Sequence, residues 1–270
     1  SSTTASPRGS VTLPSCSRRE YKVTNAVCPT CTEEFKRVGS HWARGSCPYP
    51  QIPPRKQEMV LGLLMGDGSI PTQPDGRNGV FHVPMVNRQF LEWYDNRMGL
   101  FTTGVSLKKT AEELAENNRE SGFSPNAKAE NYHDMYTVWS RSHPYFTRLR
   151  SWYESGTKRI PVGFELTPEI AKFWYISDGF LDVDRDRTPR AEIRTHTESD
   201  RSDFLLDLFR EHGFDPNFRR GTVRFSRDET RSFLDWMGNP PPGFEYKWVL
   251  DSRERYDRLK TQAYGEARAL

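Results

Sequence analysis

Two segments of this chain end in the same unusual way. Val60-Leu61-Gly62-Leu63-Leu64-Met65-Gly66-Asp67-Gly68 is an apolar helical run closed by one carboxylate and a glycine. Ala171-Lys172-Phe173-Trp174-Tyr175-Ile176-Ser177-Asp178-Gly179 repeats that shape far downstream. The negative end of a helix dipole repels an acid, so an Asp there costs stability unless a cation or hydrogen bonds hold it. Gly62 and Gly66, at i and i+4, make a flat strip on one face where a second helix can approach closely. Ser177 is the small counterpart in the second copy, but Phe173 stands where Gly62 stands, which predicts an interface that is asymmetric at that level. Either copy alone also fits an ordinary buried helix with a C-terminal glycine cap.

The pair resembles the LAGLIDADG motif of homing endonucleases and their maturase relatives. The resemblance implies two motif helices packed along a pseudo-twofold axis, with terminal acids that bind divalent metal at the scissile phosphates. It assigns Mg2+ (or Mn2+) to Asp67 and Asp178, with the Gly66 and Ser177 carbonyls as weaker ligands. The run from Lys158-x-Ile160-Pro161 through Leu166-Thr167-Pro168 is similar to the mid-chain segment of single-chain members, and Phe244-Glu245-Tyr246-Lys247-Trp248 resembles their terminal Tyr-Lys segment. Lys158 and Lys247 each follow the third helix of a half. The resemblance makes them catalytic with the two Asp, organising the nucleophilic water or offsetting charge at phosphorus. Their other reading is two solvated lysines among 39 basic residues.

At 270 residues the chain has ample length for one large domain or two ordinary ones. A hydrophobic content of 35% against 28% charged residues, with a mean hydropathy of -0.80, describes a polar globule. The net charge is only +3, so affinity for a polyanion must come from how the charges are arranged. No apolar run approaches membrane length and there is no signal-type segment, so export and anchoring are not expected. The terminal Arg268-Ala269-Leu270 lacks the His-Asn end of an intein, which predicts a freestanding protein.

Residues 1–20, rich in Ser, Thr, Pro and Arg, read as a mobile arm. All four cysteines lie between positions 16 and 47. Cys28-x2-Cys31-x9-His41-x5-Cys47 has the spacing of a tetrahedral zinc site, and with Phe35 and Val38 in core positions it resembles a ββα finger. The alternative is free buried thiols beside a solvated His. Cys16 is left over as a spare thiol or an alternative ligand. So short a segment draws its folding energy from the metal. Its surrounding basic residues, Lys36, Arg37 and Arg44 among them, suit phosphate contacts or a structural cap. Residues 21–54 therefore read as a zinc module plus a Pro-rich linker.

Residues 55–161 form the first predicted half. Its elements are a helix over Gln57–Gly66, strands at Ser69–Ile70 and Gly79–Val86, and a helix over Arg88–Met98 with Asn87 as cap. A strand over Thr103–Lys109, an exposed excursion over 110–131, a strand over His133–Ser140 and a helix over Pro144–Tyr153 complete it. In residues 162–270 Thr167 caps the second motif helix with Pro168 at its first position. A strand over Arg190–Thr197, a helix over Glu198–His212, a hairpin turning at Gly221 and a helix capped by Asp228 follow, before a C-terminal extension. The expected fold class is α+β: a duplicated, pseudo-symmetric αββαββα arrangement with antiparallel DNA-binding sheets and a small N-terminal zinc module.

Strand alternation gives one sheet face to the helices and the other to a major groove. His82, Lys108, Lys109, Arg194, His196, Arg219, Arg220 and Arg224 are the candidates for that outer face, with Arg88 beside them. His82 and His196 are expected on corresponding second strands. Asp182, Asp184 and Asp186 make an EF-like fragment without the remaining ligands, so calcium is rejected there. The expected function is metal-dependent, site-specific double-strand cleavage of DNA by an intracellular monomer. A maturase acting on intron RNA and a non-cleaving DNA-binding regulator are the alternatives.

Overall fold

The computed structural model describes residues 25–74, 76–183 and 188–264. The arm over 1–20, Cys16, Asp184 and Asp186 lie outside the described residues. At the N-terminal side β1 (Ala26–Val27) and β2 (Glu34–Phe35) pair antiparallel and lead into α1 (Val38–Ala43), the ββα order expected of a finger. Cys28, Val38, Trp42 and Cys47 form a small apolar cluster of their own there, which reaches Leu100 of the main fold.

The first half runs α2 (Pro54–Met65), β3 (His82–Met85), α3 (Arg88–Met98), β4 (Thr102–Lys109), α4 (Ala111–Glu120), β5 (Met135–Ser140) and α5 (Pro144–Arg148). The second runs α6 (Pro168–Asp178), β6 (Gly179–Asp182), β7 (Arg190–Arg194), α7 (Ser202–Arg210), β8 (Asn217–Arg219), β9 (Thr222–Arg224) and α8 (Arg227–Met237). Helix α9 (Arg253–Tyr264) follows. The second half is a complete αββαββα unit. In the first, the opening strand shrinks to a single bridge between Ser69 and His82, and α4 is added. The sheets are antiparallel, with strand orders β3-β5-β4 and β6-β7-β9-β8. The α+β fold class and the duplication are as expected. No helix among the described residues is long and apolar enough to cross a membrane.

Local chemistry explains most boundaries. Pro54 opens α2 three residues before the expected Gln57, because its missing N–H is one that the first helical turn leaves unpaired anyway. Asn87 Oδ1 accepts from the Phe90 amide at 3.0 Å, and Thr167 Oγ1 accepts from that of Ile170 at 3.2 Å, so both expected caps form. Helix α8 is capped by Ser226 and not by Asp228. Ser226 Oγ takes the Glu229 amide while the Glu229 carboxylate takes the Ser226 amide, both at 3.1 Å. The same reciprocal box at Thr110 and Glu113 starts α4 inside the stretch expected to be an exposed excursion between strands, where no helix was expected. The expected strand over Arg190–Thr197 stops at Arg194, and the expected helix over Glu198–His212 begins as a 3-10 turn over His196–Arg201 before α7.

One apolar core runs through both halves with α2 and α6 at its centre. The two helices touch where the sequence is smallest. A Cβ on Gly62 would lie 2.3 Å from the Ile170 carbonyl oxygen and 2.6 Å from Phe173 Cβ. Gly62 thus makes room for Phe173, whose ring stacks on Trp93 at 6.1 Å and lies 6.2 Å from Phe90. The asymmetry expected at this level is the exchange of a glycine for an aromatic that keys into the opposite half.

Candidate functional site

The close approach of α2 and α6 brings the two acid-bearing ends together. A Cβ on Gly66 would meet Ser177 Cβ at 2.3 Å and Asp178 Cγ at 3.5 Å. Asp178 is the last residue of α6 and half-buried, whereas Asp67 stands in the turn beyond α2 and is exposed. Although Asp67 keeps an exposed surface as a residue, the protein packed around its carboxyl desolvates it, and desolvation raises both acids from their ordinary range. Asp178 is pushed up to about 7, first by burial and then by the charge of Asp67, despite the opposing pull of Lys158, Lys247 and Arg194.

The two lysines are related by the same pseudo-symmetry. Lys158 Nζ donates to the carbonyls of Gly66 (2.5 Å) and Gly68 (3.0 Å), on either side of Asp67. Lys247 Nζ donates to Ile176 (2.7 Å), Gly179 (2.6 Å) and Tyr175 (3.3 Å) around Asp178. Each ammonium therefore offsets the dipole end of its own half's motif helix. Its charge, however, acts most strongly on the acid of the other half: Lys158 on Asp178, and Lys247 on Asp67. Lys247 is only 6% exposed, and burial pulls its amine down to about 7.

Two cavities repeat this crosswise pairing. Asp178 and Lys158 line one of about 270 Å3, with Met65, Arg194 and His196. Asp67 and Lys247 line another of about 190 Å3, with Ser177, Asn87 and Tyr264. The Gly66 carbonyl is engaged by Lys158, so a second cation on that oxygen would meet an ammonium close by. Lys158 therefore competes with a metal ion for the Gly66 carbonyl.

Sequence reasoning passed over Glu198. Its carboxylate, 4% exposed, accepts from the Ile160 amide at 2.8 Å and pairs with Arg159 and Arg201. A residue of the second half thereby fixes the segment that carries Lys158. The linear signal was an acid in an otherwise polar stretch with Arg201 three residues on, while its other partners, Arg159 and Ile160, lie some 40 positions away.

The outer faces of the sheets hold the basic residues unevenly. Arg194, Arg219 and Arg220 are exposed, Lys108 and Lys109 half-buried, and none of the five forms an ion pair among the described residues. Arg224 differs: it lies 3.2 Å from buried Glu192, which Arg190 also holds at 2.8 Å. Arg88 pairs with Glu92 at 2.7 Å. His82 is not an outward contact. It is 8% exposed and packed against Trp139 at 4.1 Å, its partner across the β3–β5 pair. His196 is exposed but lies in the 3-10 turn after β7, so the two histidines are not on corresponding strands. Asp182 pairs with Arg190 at 2.9 Å.

At the N-terminal module the ligand atoms of Cys28, Cys31, His41 and Cys47 all lie within 4.8 Å of one another. A tetrahedral zinc with bonds of ~2.0–2.3 Å needs ligand atoms roughly 3.5–4 Å apart, so the donor set fits after a small contraction. Burial pushes the Cys28 thiol up, but hydrogen bonds from the Cys31 and Thr30 amides and from Trp42 outweigh it and bring it to about 5. His41 stacks on Phe35 at 4.0 Å, which aims its ring at the cysteines.

No curated protein matches the sequence. The fold is similar to the homing endonuclease I-WcaI bound to its DNA recognition sequence, with a TM-score of 0.62 and 13% identity over 79% of this chain and 92% of that one. I-DmoI in complex with DNA and Ca is a looser match, with a TM-score of 0.40 and 14% identity over 70% of this chain and 93% of that one. Residues 57–227 match the LAGLIDADG DNA endonuclease family. That stretch spans most of α2, both Asp-Gly ends and the segment of Lys158, and the chain belongs to the LAGLIDADG DNA endonuclease family.

Proposed function

We propose that this protein is a site-specific endonuclease that cuts both strands of duplex DNA, one strand at each crosswise Asp–Lys pair. The observation that carries this reading is the pairing itself: Asp178 with Lys158 in one cavity and Asp67 with Lys247 in the other. Two equivalent centres on a pseudo-dyad suit the two antiparallel strands of a duplex, and the differing sheets suit a long asymmetric site.

Carboxylates with the Ser177 carbonyl make an all-oxygen donor set, suited to Mg2+ or Mn2+. Such a cation supplies Lewis acidity at the phosphate and a water of lowered pKa. Asp67 and Asp178 hold it: their carboxyls remain raised even with two lysines nearby, so the site is short of positive charge. Lys158 and Lys247 fix the acid-bearing turns through their carbonyls and add positive potential where charge develops at phosphorus. Arg194, Arg219, Arg220, Lys108 and Lys109 face the duplex from the sheets, and Cys28, Cys31, His41 and Cys47 hold a structural Zn2+. The single chain carries both centres, so a monomer suffices, working inside the cell where it meets DNA.

The test is incubation with Mg2+ and a library of long randomised duplexes, beside Asp67→Asn and Asp178→Asn. Specific double-strand cuts that become single-strand nicks or vanish in the variants are expected. Selective duplex binding by wild type without any cut would replace this reading with a DNA-binding regulator. Tight binding of structured intron RNA with no duplex cleavage would replace it with a maturase.

A further inference from the structure

The Cys/His module does not hang free. Trp42 packs on Tyr49 at 6.1 Å, Asn78 Nδ2 donates to Tyr49 Oη at 2.9 Å, and His143 Nε2 lies 2.9 Å from the Pro50 carbonyl oxygen. Between the docked module and the β3-β5-β4 sheet runs a cleft of about 720 Å3. Lys36 and Arg37 line it from the module and Arg77 from the first half, with Gln73 and Ser40 beside them. Arg141 forms part of its wall, with Nε on the Leu100 carbonyl at 3.0 Å. No acidic residue lines it among the described residues.

Several exposed arginines elsewhere are neutralised by neighbours, Arg88 by Glu92, Arg210 by Asp207, Arg253 by Asp257 and Arg255 by Asp251; the sheet arginines Arg194, Arg219 and Arg220 are not, among the described residues. Lys36, Arg37 and Arg77 are exposed too, yet none forms an ion pair among the described residues. Three cations that converge on one cleft from two elements, with no ion-pair partner among the described residues, repel one another, a cost that a polyanion would remove. The described lining has cations and neutral donors but no exposed aromatic ring for base stacking; its Tyr49 is half-buried with its hydroxyl engaged. That composition suits sugar-phosphate backbone and gives no means of reading sequence.

We infer that the seam between the Cys/His module and the first half is a second nucleic-acid contact, in which Lys36, Arg37 and Arg77 hold the phosphates of duplex DNA. The choice of DNA rests on the endonuclease reading; the cleft's preference for a phosphodiester backbone does not. The contact is sequence-independent and adds affinity through counterion release. Because the module is fixed by packing, the cleft is preorganised and loses little on binding.

The test measures affinity for a long randomised duplex across a salt series, for the full-length zinc-loaded protein and for the K36Q/R37Q/R77Q variant. Three phosphate contacts should steepen the log–log salt dependence by roughly 2.7, so a fourfold rise in salt weakens wild type about 40-fold more than the variant. An R37K/R77K variant, which keeps the charges, should retain the wild-type slope, and zinc content shows that each variant's module is folded. Equal slopes for wild type and the triple variant, with duplex still bound, would overturn the cleft and leave the endonuclease reading standing. Failure of wild type to bind any duplex would overturn both. A slope that changes only with structured RNA would overturn the assignment to DNA.

Discussion

The side chain of Ser177 occupies the space that a side chain on Gly66 would need: a Cβ added there would lie 2.3 Å from Ser177 Cβ. Gly66→Ala should therefore push the two acid-bearing ends apart and cost about 1–3 kcal/mol. Ser177→Gly removes both serine atoms in the way and leaves Asp178 Cγ, at 3.5 Å, as the nearest neighbour. The double variant should recover most of the loss, a strong non-additivity readable from denaturant midpoints. Gly62→Ala should find no such rescue, because its obstacle is the Ile170 carbonyl, which is backbone. Additive effects at positions 66 and 177 would show that the helix ends separate for another reason.

The two lysines should differ in what they support. Lys247 is buried and places its ammonium among three carbonyls, whereas Lys158 is half-buried and has two. Lys247→Met leaves those carbonyls without their side-chain donor in a place that water hardly reaches, and should cost about 2–4 kcal/mol. Lys158→Met opens onto a cavity that water can fill, and should cost about 1 kcal/mol. Thermal unfolding separates the two. A loss at Lys158 as large as that at Lys247 would refute the distinction.

Much of this arrangement was legible locally. Both Asp-Gly helix ends, the caps at Asn87 and Thr167, the apolar stripe of Phe90, Leu91, Tyr94 and Met98, and the turn at Gly221 are written in neighbouring residues. What escaped depends on distant partners. Helix α4 has a visible Thr-x-x-Glu box, but only Ala115 of its ten residues is buried, so no apolar period announced it. His82 follows the expected alternation, opposite Val83, and only the cross-strand Trp139 makes that face dry. The carbonyl partners of Lys158 and Lys247 and the hold of Glu198 on Ile160 join residues 38 to 92 positions apart, which no spacing rule reaches.

His82 should make stability depend on pH. Burial, reinforced by the charge of Lys108, pulls its imidazole down to about 4, against about 6.5 in an unfolded chain. Between those values the unfolded chain binds a proton that the fold refuses, so stability rises with pH across the window. The contribution is complete above pH ~6.5 and lost as pH falls toward 4, by ~1–3 kcal/mol. Urea midpoints at the two ends of the window, for wild type and His82→Gln, measure it. His143, also buried and lowered, titrates in the same sense and should leave a remaining slope. An unchanged pH dependence in the variant would exclude His82 as a source.

The N-terminal module should be a separable, metal-dependent unit, since its buried cluster is distinct from the main core. Substitution with Co2+ should give the intense thiolate-to-metal absorption of a tetrahedral sulfur site, and Cys31→Ser or Cys47→Ser should abolish it. Chelation should release Trp42, whose Nε1 lies 3.4 Å from Cys28 Sγ, and change its fluorescence. The far-ultraviolet dichroism of the two αββαββα halves should stay largely intact. Absence of the cobalt band in the folded protein would leave the four residues as a packed thiol cluster.

Glu198 should act as a positioning residue for Lys158. It holds the Ile160 amide at 2.8 Å, and Arg201 closes the loop by donating to the Ile160 carbonyl at 2.8 Å. Glu198→Gln weakens the ion pairs to Arg159 and Arg201 and presents a second donor to groups that are donors themselves. Lys158 is two residues from Ile160, so a displacement of this segment moves the ammonium relative to Asp178, while Lys247 keeps its own three carbonyl partners. The endonuclease reading then gives a signature that simple destabilisation would not. The strand served by Asp178 and Lys158 should be cut roughly ten- to a hundredfold more slowly, with nicked intermediates confined to the other strand. Strand-specific end labelling reads this directly, and Glu198→Asp, which restores the charge on a shorter arm, should recover part of the rate. Equal slowing on both strands would reduce Glu198 to a purely structural residue.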